Sequence, residues 1–224
     1  MMETLPLLVK DIRAKIQAQL TRRAFVVTII TDKIQIEELK NKGKGAGKLK
    51  KVILNDFPYT DDSGRGWSWK IELEKNVPGL SSSNKTVDVA LAILRKKRLD
   101  VYLIELKSEI NDHELTDILG KFQDSISRFY FLLLLNDSSD HKNFPPNLRI
   151  QFKGLVFYNG KGEAHQNERI HQIFKSETQA GKLECETVLG KDKIPIKFCS
   201  KNFDKTTGLL EISFNDILTE LKPV

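Results

Sequence analysis

The sequence predicts an α/β fold with a mixed central sheet flanked by helices. Three observations carry that expectation. From about residue 34 to 158 the periodicities run helix, strand, strand, strand, helix, strand. Two apolar β-rich runs, 85–94 and 99–107, follow each other with only Arg95-Lys96-Lys97-Arg98 between them. A long stretch after Asn111 or Asp112 then repeats apolar residues at three and four: Leu115, Ile118, Leu119, Phe122, Ile126, Phe129, Tyr130 and Leu133.

The elements follow in order. Leu5, Leu8, Val9, Ile12, Ile16 and Leu20 have a helical period, with Thr4 placed to cap it. Residues 25–30 form a short β-rich run, and 34–42 reads as a helix that 49–54 continues after a glycine interruption. Residues 56–66 are turn chemistry, 67–74 alternate as a strand, and 77–84 form a loop. After the two β-runs and the long helix come a polar loop (136–147) and a strand (148–158) ended by Asn159-Gly160. Residues 165–179 read as a helix. Residues 183–189 and 194–199 bracket Gly190-Lys191-Asp192-Lys193 as a hairpin. A strand at 209–214 and a short helix capped by Asn215 complete the chain. A length of 224 residues suits a single domain. Its core would span about 34–158, with a helix and strand in 1–31 and a β-rich extension in 160–224.

Composition narrows the function classes. Hydrophobic residues make up 40% and charged residues 29%, the balance of a soluble globular chain. No apolar run approaches the ~20 residues of a membrane helix, and no secretory signal is visible, so a cytoplasmic location is expected. Cys185 and Cys199 are not spaced as a metal knuckle and read as buried free thiols. The four histidines are too scattered for a zinc pair. Gly43-Lys44-Gly45-Ala46-Gly47-Lys48-Leu49 imitates a phosphate loop but is one residue short and lacks the Ser or Thr that chemistry needs. Trp67 and Trp69 share a strand face, which points to core rather than a base-stacking platform. A net charge of +6 and a pI of about 9.1 permit an anionic partner. The cations concentrate in Lys40 to Lys51 and in Arg95 to Arg98.

The chemistry-bearing feature is an acidic-basic trio, Asp88, Glu105 and Lys107, on the two adjacent β-runs. A four-residue connection pairs Leu94 with Leu99, and counting back sets Asp88 opposite Glu105 and Thr86 opposite Lys107. Alternation places Val87, Val89, Leu91 and Ile93 on one face and Thr86, Asp88, Ala90 and Ala92 on the other, the small alanines leaving room. Two opposed carboxylates require a cation between them, and Mg²⁺ takes one or two carboxylates with water and phosphate oxygens. Glu-x-Lys also occurs at Glu38-Lys40 and Glu220-Lys222, so context rather than the triplet carries the inference.

Asp88, followed after a gap by Ile104-Glu105-Leu106-Lys107, resembles the PD-(D/E)xK nuclease superfamily, and the element order is similar to its αβββαβ core. Val87 stands where a proline is usual. The resemblance implies a restriction-endonuclease-like fold and a Mg²⁺-dependent endonuclease, with Mn²⁺ able to substitute. Its substrate would be DNA, most naturally double-stranded, in a restriction or phage-defence setting, with a homodimer suited to duplex cutting. Asp88 and Glu105 would bind metal with the Leu106 carbonyl, and Lys107 would polarise the attacking water. Gln123, preferred over Lys121, would assist from the following helix. Glu38 or Glu37 would add a carboxylate, with Glu72 a more distant candidate. Lys48, Lys50, Lys51, Arg95, Lys96, Lys97, Arg98 and Lys121 would contact nucleic acid around the site. The alternatives are a catalytically inactive nuclease-like domain that binds nucleic acid or a protein, and a structural module whose hairpin carries a salt-bridge cluster.

Overall fold

A computed structural model describes residues 26–37, 49–59, 67–73, 85–95, 98–108, 110, 112–134, 149–159, 164–177, 182–187, 190–201, 203–204 and 206–220. The helix expected in 5–20 lies outside them. Ten strands and three helices are described: β1 (Val26–Thr28), β2 (Ile34–Glu37), β3 (Lys51–Asn55), β4 (Trp67–Ile71), β5 (Val89–Arg95), β6 (Arg98–Lys107), α1 (Asp112–Leu134), β7 (Arg149–Asn159), α2 (Ala164–Glu177), β8 (Lys182–Thr187), β9 (Gly190–Lys201), β10 (Leu209–Ser213) and α3 (Phe214–Glu220).

The strands form two sheets. The larger has seven in the order β1-β4-β5-β6-β7-β9-β8, and the smaller has three in the order β10-β3-β2. Strands β4, β5 and β6 form an antiparallel meander. The connection through α1 then brings β7 parallel to β6, as a crossover helix allows. The hairpin pairs Leu94 with Leu99, as the sequence predicts, and the ladder continues one step further to Arg95 and Arg98.

That register divides two cores. Ala90, Ala92, Leu94, Leu99, Val101 and Leu103 pack under α1 and α2. Val89, Leu91, Ile93, Tyr102, Ile104 and Leu106 pack on the opposite face with the small sheet and α3. Both faces of β5 and β6 are therefore covered, which is why these strands read as nearly continuous apolar runs. Helix α1 forms because its apolar residues recur along one stripe, and Leu115, Ile118, Phe122, Ile126 and Phe129 are all buried.

Several expectations change. The helix expected at 34–42 begins instead as β2, in which Ile34 and Ile36 are buried while Gln35 and Glu37 are exposed. That is a two-residue period, and pairing with β3 realises it. Residues 49–54 likewise contribute β3 rather than a helix. The C-terminal region is no appendage: β9 and β8 extend the main sheet, and β10 runs parallel to β3. The late hairpin turns earlier than expected. Gly190 to Lys193 belong to β9, where Lys191 and Lys193 face Glu186 and Glu184, and opposite charges across a ladder favour that register. The two cysteines are buried free thiols in different cores. Trp69 is fully buried and faces Ala92 in the ladder, so the small residue makes room for an indole rather than for a ligand. No helix among the described residues is long and apolar enough to cross a membrane.

Gly154 is where β7 and α1 approach closely. A Cβ built there would lie 2.8 Å from Ile196 Cγ1 and 2.9 Å from Phe122 Cε1. Both neighbours are buried, so Gly154→Ala should destabilise by about 1–3 kcal/mol through overpacking. Urea unfolding should show a lower midpoint with an unchanged slope.

Candidate functional site

The site lies where β5 begins and β6 ends. Paired residues stop at Val89 and Ile104, and the chain bends at Asp88. The bend breaks the alternation expected from sequence. Val87 packs in the helix-side core with Ala90, instead of joining Val89 on the other face. Its amide donates to Ser125 Oγ on α1 at 2.9 Å, replacing a strand partner. The Asp88 carboxylate turns to the end of β6, where its Oδ2 accepts the Leu106 amide at 2.7 Å. Side chain thus substitutes for a ladder carbonyl, satisfying a buried donor.

Asp88 also lines a cleft of about 140 Å³ with Gln35, Ile36, Glu37, Lys70, Glu72 and Val89. The room is therefore on the small-sheet side and not over Ala90 and Ala92, which are fully buried beneath α1. Lys70 Nζ donates to the Gln35 carbonyl at 2.8 Å and stands 4.0 Å from Glu72 Oε1. Glu37 accepts a hydrogen bond from Gln35 Nε2 and lies 3.7 Å from Lys51 Nζ. Glu37 and Glu72, secondary candidates in the sequence, are the acids that share this cleft with Asp88. Glu38 lies outside the described residues.

Glu105 is 1% exposed, and its Oε1 meets two ammonium groups, Lys121 Nζ at 2.5 Å and Lys107 Nζ at 3.6 Å. A buried carboxylate would otherwise carry a large desolvation cost, and paired cations offset it. Lys107 shares the Glu105 face, as strand alternation requires. The helix residue that reaches the trio is Lys121, whereas Gln123, preferred from sequence, is exposed. A step of two residues along a helix turns a side chain by roughly 200°, which takes Gln123 away from the sheet.

One further acid joins here. Asp117, one helical turn before Lys121, accepts a 2.7 Å hydrogen bond from Lys85 Nζ. That bond, with the Lys85, Lys121 and Lys107 charges, holds the Asp117 carboxyl below the usual carboxylate range. Its stabilising contribution is therefore present at neutral pH and is lost as pH falls through the lowered value. The i, i+4 spacing of Asp117 and Lys121 was the sequence signal for it.

The predicted cationic residues separate. Lys51 stands at the cleft through its contact with Glu37, and the exposed Lys50 starts the adjoining segment with its amide on the Gly208 carbonyl. Lys48, Lys96 and Lys97 lie outside the described residues. Arg95 and Arg98 do not flank the trio. They pair at the opposite end of the β5–β6 hairpin, seven residues along β5 from Asp88 and so about 23 Å away.

Among the described residues, no three His, Cys, Asp or Glu side chains form a group able to hold a metal ion. The donors that a divalent cation could use at this strand end are hard oxygens: Asp88, Glu105 and the Leu106 carbonyl. That donor set suits Mg²⁺, which completes its shell with water and phosphate oxygens.

The Asp88–Leu106 bond predicts a graded effect. Asp88→Ala leaves a buried amide without its acceptor and should cost about 1–3 kcal/mol. Asp88→Asn retains an acceptor oxygen and should cost less. Hydrogen exchange at the Leu106 amide, accelerated in the alanine variant and protected in the asparagine variant, checks this.

Comparison with known protein families, with curated proteins and with solved structures finds no match to this chain.

Proposed function

We propose that this protein is a Mg²⁺-dependent endonuclease acting on DNA, built on a restriction-endonuclease-like core. The observation that carries the reading is the link from Asp88 to the Glu105-Leu106-Lys107 triplet through the Leu106 amide. An acid arriving from one strand end is thereby tied to the backbone amide that lies between Glu105 and Lys107 on the next. The β4-β5-β6 meander, α1 and parallel β7 support the same reading through their order and pairing. The helix that opens an αβββαβ core has no counterpart at 34–37, which form β2. The proposed likeness therefore rests on the βββαβ part.

Asp88 and Glu105 would hold the cation with the Leu106 carbonyl. When bound, Mg²⁺ supplies a water of lowered pKa and neutralises phosphate charge. Lys107 would orient the attacking water and stabilise charge developing on the phosphate, an effect worth about 10²–10³ in rate for a well-placed donor. Lys121, fixed on Glu105, would hold that carboxylate in place between the helix and the sheet. A homodimer would supply two sites for cutting both strands.

The pairing of Glu105 with two lysines favours a second reading, a nuclease-like domain without catalysis whose trio is a buried salt-bridge cluster. The two readings separate on metal. In the first, the wild type cleaves plasmid DNA in the presence of Mg²⁺, Lys107→Ala loses at least about a hundredfold in rate while unfolding normally, and added Mg²⁺ raises the Tm of the wild type but not of Asp88→Asn. Equal inertness of wild type and variant, with no thermal response to Mg²⁺ or Mn²⁺, would establish the second.

A further inference from the structure

The far end of the β5–β6 hairpin carries an arrangement that the carboxylate site does not use. Arg95 faces Arg98 across one ladder, and Arg98 faces Arg149 across the next. Three guanidinium side chains therefore stand at one level across three adjacent strands. Their common face follows from the neighbours: Leu94, Leu99 and Ile150 turn into the helix-side core, so Arg95, Arg98 and Arg149 turn to the other side. Lys153, on the same face of β7, opposes Tyr102 in the ladder. Its Nζ lies 5.0 Å from the Tyr102 ring centre and 3.4 Å from the hydroxyl.

Directly opposed like charges destabilise a ladder unless something negative neutralises them. Asp100 is the acid present in this group, and its Oδ2 lies 3.0 Å from Arg98 Nη2. Among the described residues neither the Arg95 nor the Arg149 side chain has a hydrogen bond or ion pair. Four cations thus share one carboxylate, an excess of three positive charges on one face. The connecting residues, Lys96 and Lys97, add two more in sequence.

We propose that the Arg95–Arg98–Arg149 row, with Lys153 behind it, is a phosphate-binding surface for a polynucleotide, separate from the carboxylate site. Guanidinium groups bind phosphate oxygens in a bidentate manner and release less hydration than ammonium groups on doing so. Strand spacing sets the row at about 10 Å across its three members, long enough to meet successive phosphates of an extended backbone. Arg98 is 45% exposed at its side chain and Arg149 is exposed, so the row is open to a long ligand rather than closed around a small one. Sequence alone exposed half of this surface: Arg149 comes from a segment with no cationic run of its own, and only the parallel pairing of β6 with β7 delivers it.

The test is duplex oligonucleotide binding by the full chain in EDTA, with affinity measured across a salt series. Arg149→Gln should flatten the slope of log affinity against log salt by about one, and Arg95→Gln with Arg149→Gln by about two. Lys191→Gln, on the exposed β8–β9 hairpin, should leave it unchanged. Wild-type slopes in both arginine variants, with normal unfolding curves, would overturn the assignment. So would displacement of the duplex by inorganic pyrophosphate at matched ionic strength, which would make the row a small-polyphosphate site. The assignment does not depend on the nuclease reading, and binding without divalent metal keeps the two apart. A wild type that binds through the arginines yet never cleaves keeps the row and loses the nuclease. One that cleaves with an arginine-independent salt slope does the reverse.

Discussion

The pairing of Leu94 with Leu99 fixes the register of the β5–β6 hairpin and, through it, the composition of both cores. Because strand side chains alternate, this one register decides which apolar residues lie under the helices and which lie against the small sheet. A slip of one residue would exchange the two sets, driving Asp100 and Tyr102 beneath α1 and turning Glu105 away from Lys121. Burial on both faces makes such a slip costly everywhere along the hairpin. The same register carries β7 into place, since ten consecutive residues of β6 pair with it in parallel.

Asp88 stands where that ladder gives out. A strand end normally leaves backbone donors to water, but here the surroundings are buried and a carboxylate fills the role. The cost of burying the charge is offset by the amide and by the position of Asp88 at a cleft. Glu105 solves the same problem differently, with two ammonium groups from α1 and from its own strand. The outcome is a compact group of alternating charges that includes Asp117 and Lys85. An ammonium meets a carboxylate as a point charge, whereas a guanidinium would grip it through a planar fork.

The hairpin is electrically polar along its length. Its open end gathers acids and lysines around a cleft, while its closed end gathers arginines with a single buried acid. Lys153 shows how crowded the second end is: burial lowers its pKa, with the Arg98 and Arg95 charges acting in the same direction and Asp100 opposing them. Burial, followed by the Asp100 charge, pushes the Tyr102 hydroxyl up to about 12, so it remains a neutral hydrogen-bonding partner.

Local periodicity and short-range counting account for the part of the fold that is legible in the chain. The hairpin register followed from a short connection between two apolar runs, α1 from its three-four repeat, and the proximity of Glu105 to Lys107 from strand alternation. The stretch 34–42 suits a helical period, yet Ile34 to Glu37 form a strand, because four residues are too few to separate a helical from a two-residue period. Partners distant in the chain are set by packing. Nothing local to β3 indicates that β10, about 150 residues later, lies parallel beside it. The bend at Asp88 needed Ser125 from α1 to hold Val87, so neither the broken alternation nor the side on which the cleft opens could be counted from the strand. The choice of Lys121 over Gln123 depended on how α1 is rotated against the sheet, and the arginine row on which strand lies next to β6. Each of these is a contact across a packed interface, and packing is a property of surfaces that the folded chain brings together, not of the segments that contribute them.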